Sequence, residues 1–145
     1  MPKFMKSLNN ISRSQLTFRS ERLKVDGICA THHSFILAIC HNAGRTQEEL
    51  SRELCLNKST VARTLGFLEE KGYVRREANA LDKRSFLVYP TDKMREIYPL
   101  VIDITRDWNQ KLCEDIPSKE LEIFFSVLSK MEKTAKAITS YREEM

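Results

Sequence analysis

Apolar residues recur at helical spacing along most of this chain, and alternate only over one short stretch. Phe4, Leu8, Ile11, Leu16 and Leu23 follow a roughly helical rhythm up to a break at Asp26-Gly27. A second helix is expected from about Thr31, with Phe35, Ile36, Ile39 and Cys40 on its apolar side and Gly44 as a C-terminal stop. Thr46 followed three residues later by Glu49 forms a capping box, and Leu50 and Leu54 give the helix behind it an apolar pair. After Cys55-Leu56-Asn57 comes another helix, capped by Asn57 or Ser59, that buries Val61, Leu65 and Leu68 and stops at Gly72.

Two runs of β-formers then flank the polar stretch NALDKRS, Asn79 to Ser85: Tyr73–Glu77 and Phe86–Tyr89. They read as a hairpin whose tip lacks the Asn-Gly or Asp-Gly pair of the tightest turns. Two long helices close the chain. The first runs from about Asp92 to Glu114 with Met94, Ile97, Val101, Ile104, Trp108 and Leu112 in register. The second begins after Pro117 and aligns Leu121, Phe124, Phe125, Leu128, Met131, Ala135 and Ile138. Such narrow seams need covering, and the chain has little else to cover them with. A homodimer interface built from the first and last helices is the economical reading. The expected fold is therefore mainly α with a small β-hairpin wing. Residues 1–43 and 92–145 would serve dimerisation, and residues 44–91 would form a winged helix-turn-helix lobe.

Composition agrees with a folded domain: 145 residues, 41% hydrophobic, 30% charged, with 4 Gly and 4 Pro. No apolar run reaches the ~20 residues that span a bilayer, and the first residues lack a secretory apolar core. A cytoplasmic protein without membrane contact is expected. The net charge of +4 is unevenly spread: residues 1–44 carry 6 Lys/Arg against 2 Asp/Glu, residues 45–93 carry 10 against 8, and the remainder 8 against 10. An acidic partner such as nucleic acid is permitted, not demanded. Cys29, Cys40, Cys55 and Cys113 match no zinc spacing and are expected as buried small apolar residues. No cofactor is expected. Without a Gly-rich phosphate loop, nucleophile elbow or carboxylate pair, neither is catalysis.

Two short helices with a hairpin directly behind describe a winged helix-turn-helix. On the second helix, Val61, Leu65 and Leu68 share one side. Ser59, Arg63, Gly66, Phe67 and Glu70 lie opposite, with Thr60 and Thr64 at the flank. Lys58, Ser59, Thr60 and Arg63 are thus the exposed residues at its start. Hydroxyls and a helix N-terminus suit phosphate, and Arg suits guanine. An ordinary amphipathic helix whose solvent face happens to hold these residues fits the pattern equally well.

From Arg45 to Thr91 the sequence resembles the MarR family of bacterial transcription regulators. The resemblance is carried by Leu68-Glu69-Glu70-Lys71-Gly72, by Arg76 four residues on, by Asp82-Lys83-Arg84 in the wing and by Thr91 after the second strand. It implies a homodimer on double-stranded DNA, with recognition helices in successive major grooves of a pseudo-palindromic site. Arg84 would enter the minor groove, and Asp82 would orient it or a neighbouring basic residue through a charge-assisted bond. Lys83 and Arg76 would face phosphates or support the wing. The competing reading of Asp82 and Arg84 is a solvated ion pair worth ~0–1 kcal/mol. Phe67, where the family has a polar residue, and Met94, where it has Gly, depart from the pattern.

The resemblance further implies a repressor released by a small-molecule effector whose cavity would draw on His33, Phe35, Ile36 and Trp108. A redox-sensing variant would use Cys29 beside His32 and His33. A metal-sensing variant would use His32, His33 and His41 with Asp26 and Cys29. A winged helix serving only protein contacts is the remaining alternative.

Overall fold

The computed structural model describes residues 2–143. Helix α1 (Pro2–Arg22) is followed by a 3-10 turn (Ala30–His32), α2 (His33–His41), strand β1 (Arg45–Thr46), α3 (Gln47–Leu54) and α4 (Lys58–Glu70). Strands β2 (Val74–Ala78) and β3 (Phe86–Pro90) precede α5 (Asp92–Cys113) and α6 (Ser118–Glu143). The chain divides into two compact units, one ending at Trp108 and one starting at Asn109.

Local chemistry accounts for the boundaries in the first unit. Thr46 Oγ1 accepts the Glu49 amide at 3.2 Å while Glu49 Oε2 accepts the Thr46 amide at 2.8 Å. Two orphan donors at the head of α3 are satisfied reciprocally. At its other end α3 stops on Cys55, held left-handed at φ 54. Asn57 caps α4 through a 2.8 Å bond from the Thr60 amide. The hairpin is antiparallel, and β1 adds to its far side, giving the order β1-β3-β2 with Val88 opposite both Arg45 and Arg76. Strand β1 is absent from the sequence reading because two residues cannot display an alternating period. Thr91 donates to the carbonyls of Gly72 (2.6 Å) and Tyr73 (3.0 Å), tying the base of the hairpin to the head of α5.

The core of this unit gathers Leu23, Phe35, Ile36 and Ile39 with Leu50, Val61, Leu65, Leu68, Tyr73, Val88, Met94, Val101 and Ile104. Each such side chain contributes about 1.5–3 kcal/mol on burial. The helix-turn-helix and the hairpin are therefore backed by one continuous apolar mass. Met94 is fully buried in it.

Several expectations need correction. Helix α1 ends at Arg22, short of Asp26-Gly27, because Leu23 leaves the helix to enter the core. The second helix is preceded by the separate 3-10 turn. The cysteines are not buried as a group: Cys29 and Cys55 are exposed, Cys40 and Cys113 half-buried. Cys29 and Cys55 occupy helix-end positions, which the backbone selects and where the side chain projects outward. Burial pushes the Cys40 thiol up to about 11. Pro99 lies inside α5, on an exposed side, where its ring removes one backbone donor.

In the second unit, α6 carries Ile123, Phe124, Phe125, Val127, Met131 and Ile138 exposed along its length. The Phe124 and Phe125 rings meet edge to face at 5.6 Å. Among the described residues, no helix is long and apolar enough to cross a membrane.

Candidate nucleic-acid interface

The head of α4 is fixed from three directions. Gln47 donates to the Lys58 carbonyl at 3.2 Å, joining the starts of α3 and α4. Ser51 donates to the Leu56 carbonyl at 2.6 Å, closing the turn between them. Ser59 donates to Asn57 Oδ1 at 2.8 Å, so its hydroxyl proton belongs to the cap. With Val61, Leu65 and Leu68 buried beneath, Lys58, Ser59 and Arg63 face outward and Thr60 is half-buried.

Phe67 is not on the open face that a helical wheel assigns to it. Its ring stacks on His32 with centroids 5.1 Å apart, because the 3-10 turn carries His32 over this part of α4. Burial lowers the His32 pKa from its ordinary value. Cys29, exposed beside it, places its Sγ 2.9 Å from Thr31 Oγ1 and 3.5 Å from His32 Nδ1.

Arg76 braces the wing. Half-buried under α4, it brings Nε to 3.3 Å from Glu69 Oε2, a contact of charge rather than an aligned hydrogen bond. Its Nη2 passes close to Gly66, 3.9 Å from where a Cβ would stand, which is ordinary van der Waals distance.

The wing tip is built by side chains bonding to their own loop. Asn79 Oδ1 accepts the Leu81 amide at 3.1 Å, and Asn79 Nδ2 donates to Ser85 Oγ at 3.0 Å. Asp82 Oδ1 accepts the Arg84 amide at 2.9 Å. The expected bond from Asp82 to a basic side chain is thus replaced by one to the backbone. A short carboxylate reaches an amide two residues on at little entropic cost, whereas a guanidinium must be immobilised first. Lys83 and Arg84 are both exposed. Among the described residues no carboxylate lies within ion-pair distance of Lys58, Arg63, Lys83 or Arg84.

A cleft of about 330 Å³ runs between the wing tip and the heads of α3 and α4. Lys58, Arg76 and Arg84 line it together with two carboxylates, Asp82 and Glu48, and with Thr46, Gln47, Asn79 and Ser85 over an apolar floor of Leu65, Phe86 and Val88. Half of the eight residues expected at a DNA surface thus meet in one cleft. Ser59, Thr60, Arg63 and Lys83 stand outside its lining. Asn79, Ser85 and Gln47 were missed by sequence reasoning. The preference of Asn for bonding its own backbone in turns was the available signal for Asn79.

The residues expected to line an effector cavity lie elsewhere. His33, Phe35 and Ile36 are packed in the core. Trp108 sets its ring 5.3 Å from that of Phe18. His33 Nε2 is 3.3 Å from Thr105 Oγ1, while Nδ1 is buried without a hydrogen-bond partner. Burial, seconded by the charge of Arg19, pulls the His33 pKa down to about 4. As arranged, these side chains fill volume rather than enclose it.

Residues 26–85 match the MarR family profile. The HTH-type transcriptional regulator BilQ of Clostridium symbiosum is 24% identical over 120 residues, 83% of this chain and 83% of that protein. A MarR protein from Peptoclostridium difficile superposes with a TM-score of 0.87 at 26% identity, over 92% of this chain and 87% of that one. A mutant MarR from E.coli, solved in complex with operator DNA, superposes with a TM-score of 0.79 at 24% identity, over 89% and 93%.

Proposed function

We propose that the chain, whose residues 26–85 match the MarR family profile, is a MarR-family transcription regulator that binds double-stranded DNA. The observation that carries this reading is the convergence of Lys58 at the head of α4 and Arg84 at the wing tip on one cleft, neither engaged by a carboxylate. Three cations face that cleft against two carboxylates, of which Asp82 is bonded to the Arg84 amide and Glu48 lies 3.8 Å from Arg52, and this balance at the heads of two helices suits a phosphodiester backbone. Arg63, one turn further along α4, would read base edges in the major groove, while Lys58, Thr60 and Lys83 would hold phosphates. Ser59, whose proton is committed to Asn57, would offer lone pairs to a base amino group. Arg76 and Asp82 would act by shaping the wing. The operator complex of the E.coli MarR mutant supports this reading.

The functional species is a homodimer on a pseudo-palindromic operator, and the apolar residues exposed on α6 support that assembly. It acts as a repressor, released when a small molecule binds the DNA-incompetent arrangement more tightly than the competent one. An effector that reached His33, Phe35, Ile36 and Trp108 would have to open packed core, so its binding would be coupled directly to a change of shape. Selection of bound duplexes from a random pool tests the proposal. An inverted repeat is expected; recovery of no enriched sequence would overturn it.

A further inference from the structure

Leu81 is 97% exposed, while the next most exposed large apolar residue among those described is Ile123 at 67%. A lone exposed Leu is commonplace on a protein surface. This one differs in how it is held and in its neighbours. Its amide is bonded to Asn79 Oδ1 at 3.1 Å, and Asn79 is pinned across the loop to Ser85 by its amide nitrogen (3.3 Å) and by Nδ2 (3.0 Å). The carboxylate next to it, Asp82, is turned onto the loop's own Arg84 amide. What the tip exposes is therefore one apolar side chain accompanied by two cations, Lys83 and, on the side of the cleft, Arg84.

We infer that Leu81 is an apolar minor-groove contact that makes the wing selective for A·T base pairs. The inference rests on the DNA-binding reading above and names a specificity residue for it. The minor groove distinguishes A·T from G·C mainly by the guanine N2 amino group, which projects from the groove floor. A branched aliphatic side chain lies against a smooth A·T floor and the flanking sugars, displacing water. Against G·C it would cover that amino group without offering it an acceptor, leaving a desolvated donor. Proteins that enter the minor groove combine Arg and Lys with apolar side chains, there as wedges between base steps. A·T runs also narrow the groove and deepen its negative potential, which draws Arg84 to the same place. Cation and aliphatic side chain would thus favour one sequence for separate reasons.

The test compares wild type, Leu81→Ala and Leu81→Asn on two duplexes. Both carry the selected major-groove half-sites, and they differ only in A·T or G·C pairs where the wing footprint falls. Wild type is expected to prefer the A·T duplex by roughly five- to tenfold. Leu81→Ala should reduce that preference to about twofold at unchanged salt slope, because Leu81 neutralises no phosphate. Leu81→Asn, able to accept from the guanine amino group, should abolish or invert it. If wild type binds the half-sites but all three proteins share one flank preference, Leu81 has no such role. If wild type binds neither duplex over a random control, the DNA reading itself falls. Leu81 is fully exposed, so its variants should melt with the wild type.

Discussion

Asp82 grips the backbone amide of Arg84 at 2.9 Å and leaves its guanidinium outside. The two residues are therefore related as scaffold and projecting arm, not as an ion pair. On that view Asp82→Asn, which keeps an oxygen acceptor, should retain most of the DNA affinity. Asp82→Ala should lose several-fold. Equal losses for both, measured by fluorescence anisotropy, would return the role to the charge. Because the bond is at an exposed loop tip, neither variant should move the melting temperature by more than the equivalent of about 0.5 kcal/mol.

Arg84→Ala and Arg63→Ala should fail differently. Removing Arg84 should weaken binding to every sequence, most of all to duplexes with A·T pairs under the wing, and lower the slope of log K against log salt by about one. Removing Arg63 should relax base preference at one position in each half-site, at a cost of about 1–3 kcal/mol on the preferred sequence. Titrations at several salt concentrations on two operators separate the outcomes. A common slope and common preference for both variants would remove these residues from the interface.

Asn57→Ala should destabilise the fold by about 1 kcal/mol, since Asn57 Oδ1 accepts both the Thr60 amide and the Ser59 hydroxyl. The variant also frees the Ser59 proton. DNA affinity should then fall by more than stability does, read as Kd at a temperature where both proteins are folded.

His33 makes stability depend on pH in a defined window. Its folded pKa of about 4 lies below the ordinary 6.5. Between those values the unfolded chain binds the extra proton, so stability is full above about pH 6.5, declines as pH falls toward 4, and levels off below. A shift of this size corresponds to something on the order of 3 kcal/mol. His33→Gln should flatten that part of the profile in chemical denaturation series run from pH 7.5 to 4. An unchanged slope would assign the pH dependence to other groups.

Phe125→Asp on α6 should shift the protein toward monomer in sedimentation experiments at roughly micromolar concentration, and DNA affinity should fall with it. Wild type that sediments as a monomer throughout would overturn the dimer.

Much of the architecture could be read from local signals. The Thr46–Glu49 box and the Val61, Leu65 and Leu68 spacing are complete within a few residues, so they announced α3 and α4 directly. What escaped was whatever depends on a distant segment arriving. Phe67 reads as exposed until the 3-10 turn lays His32 on it. Arg76 reads as a surface cation until β2 folds it against α4 beside Glu69. The direction of Asp82 turned on a competition between two donors on one residue, Arg84, which spacing cannot decide.

Strand β1 has an engineering consequence. Thr46 pairs with Leu87 across the sheet while capping α3. The sheet and the head of α3 are thus geared together at one residue. An insertion between Gly44 and Gln47 would strip that gear, breaking cap and pairing in a single step. The loop from Asn79 to Ser85, held by its own internal bonds, behaves instead as a cassette. A tip of the same length and bonding pattern should be transferable between related wings without disturbing the lobe that carries it.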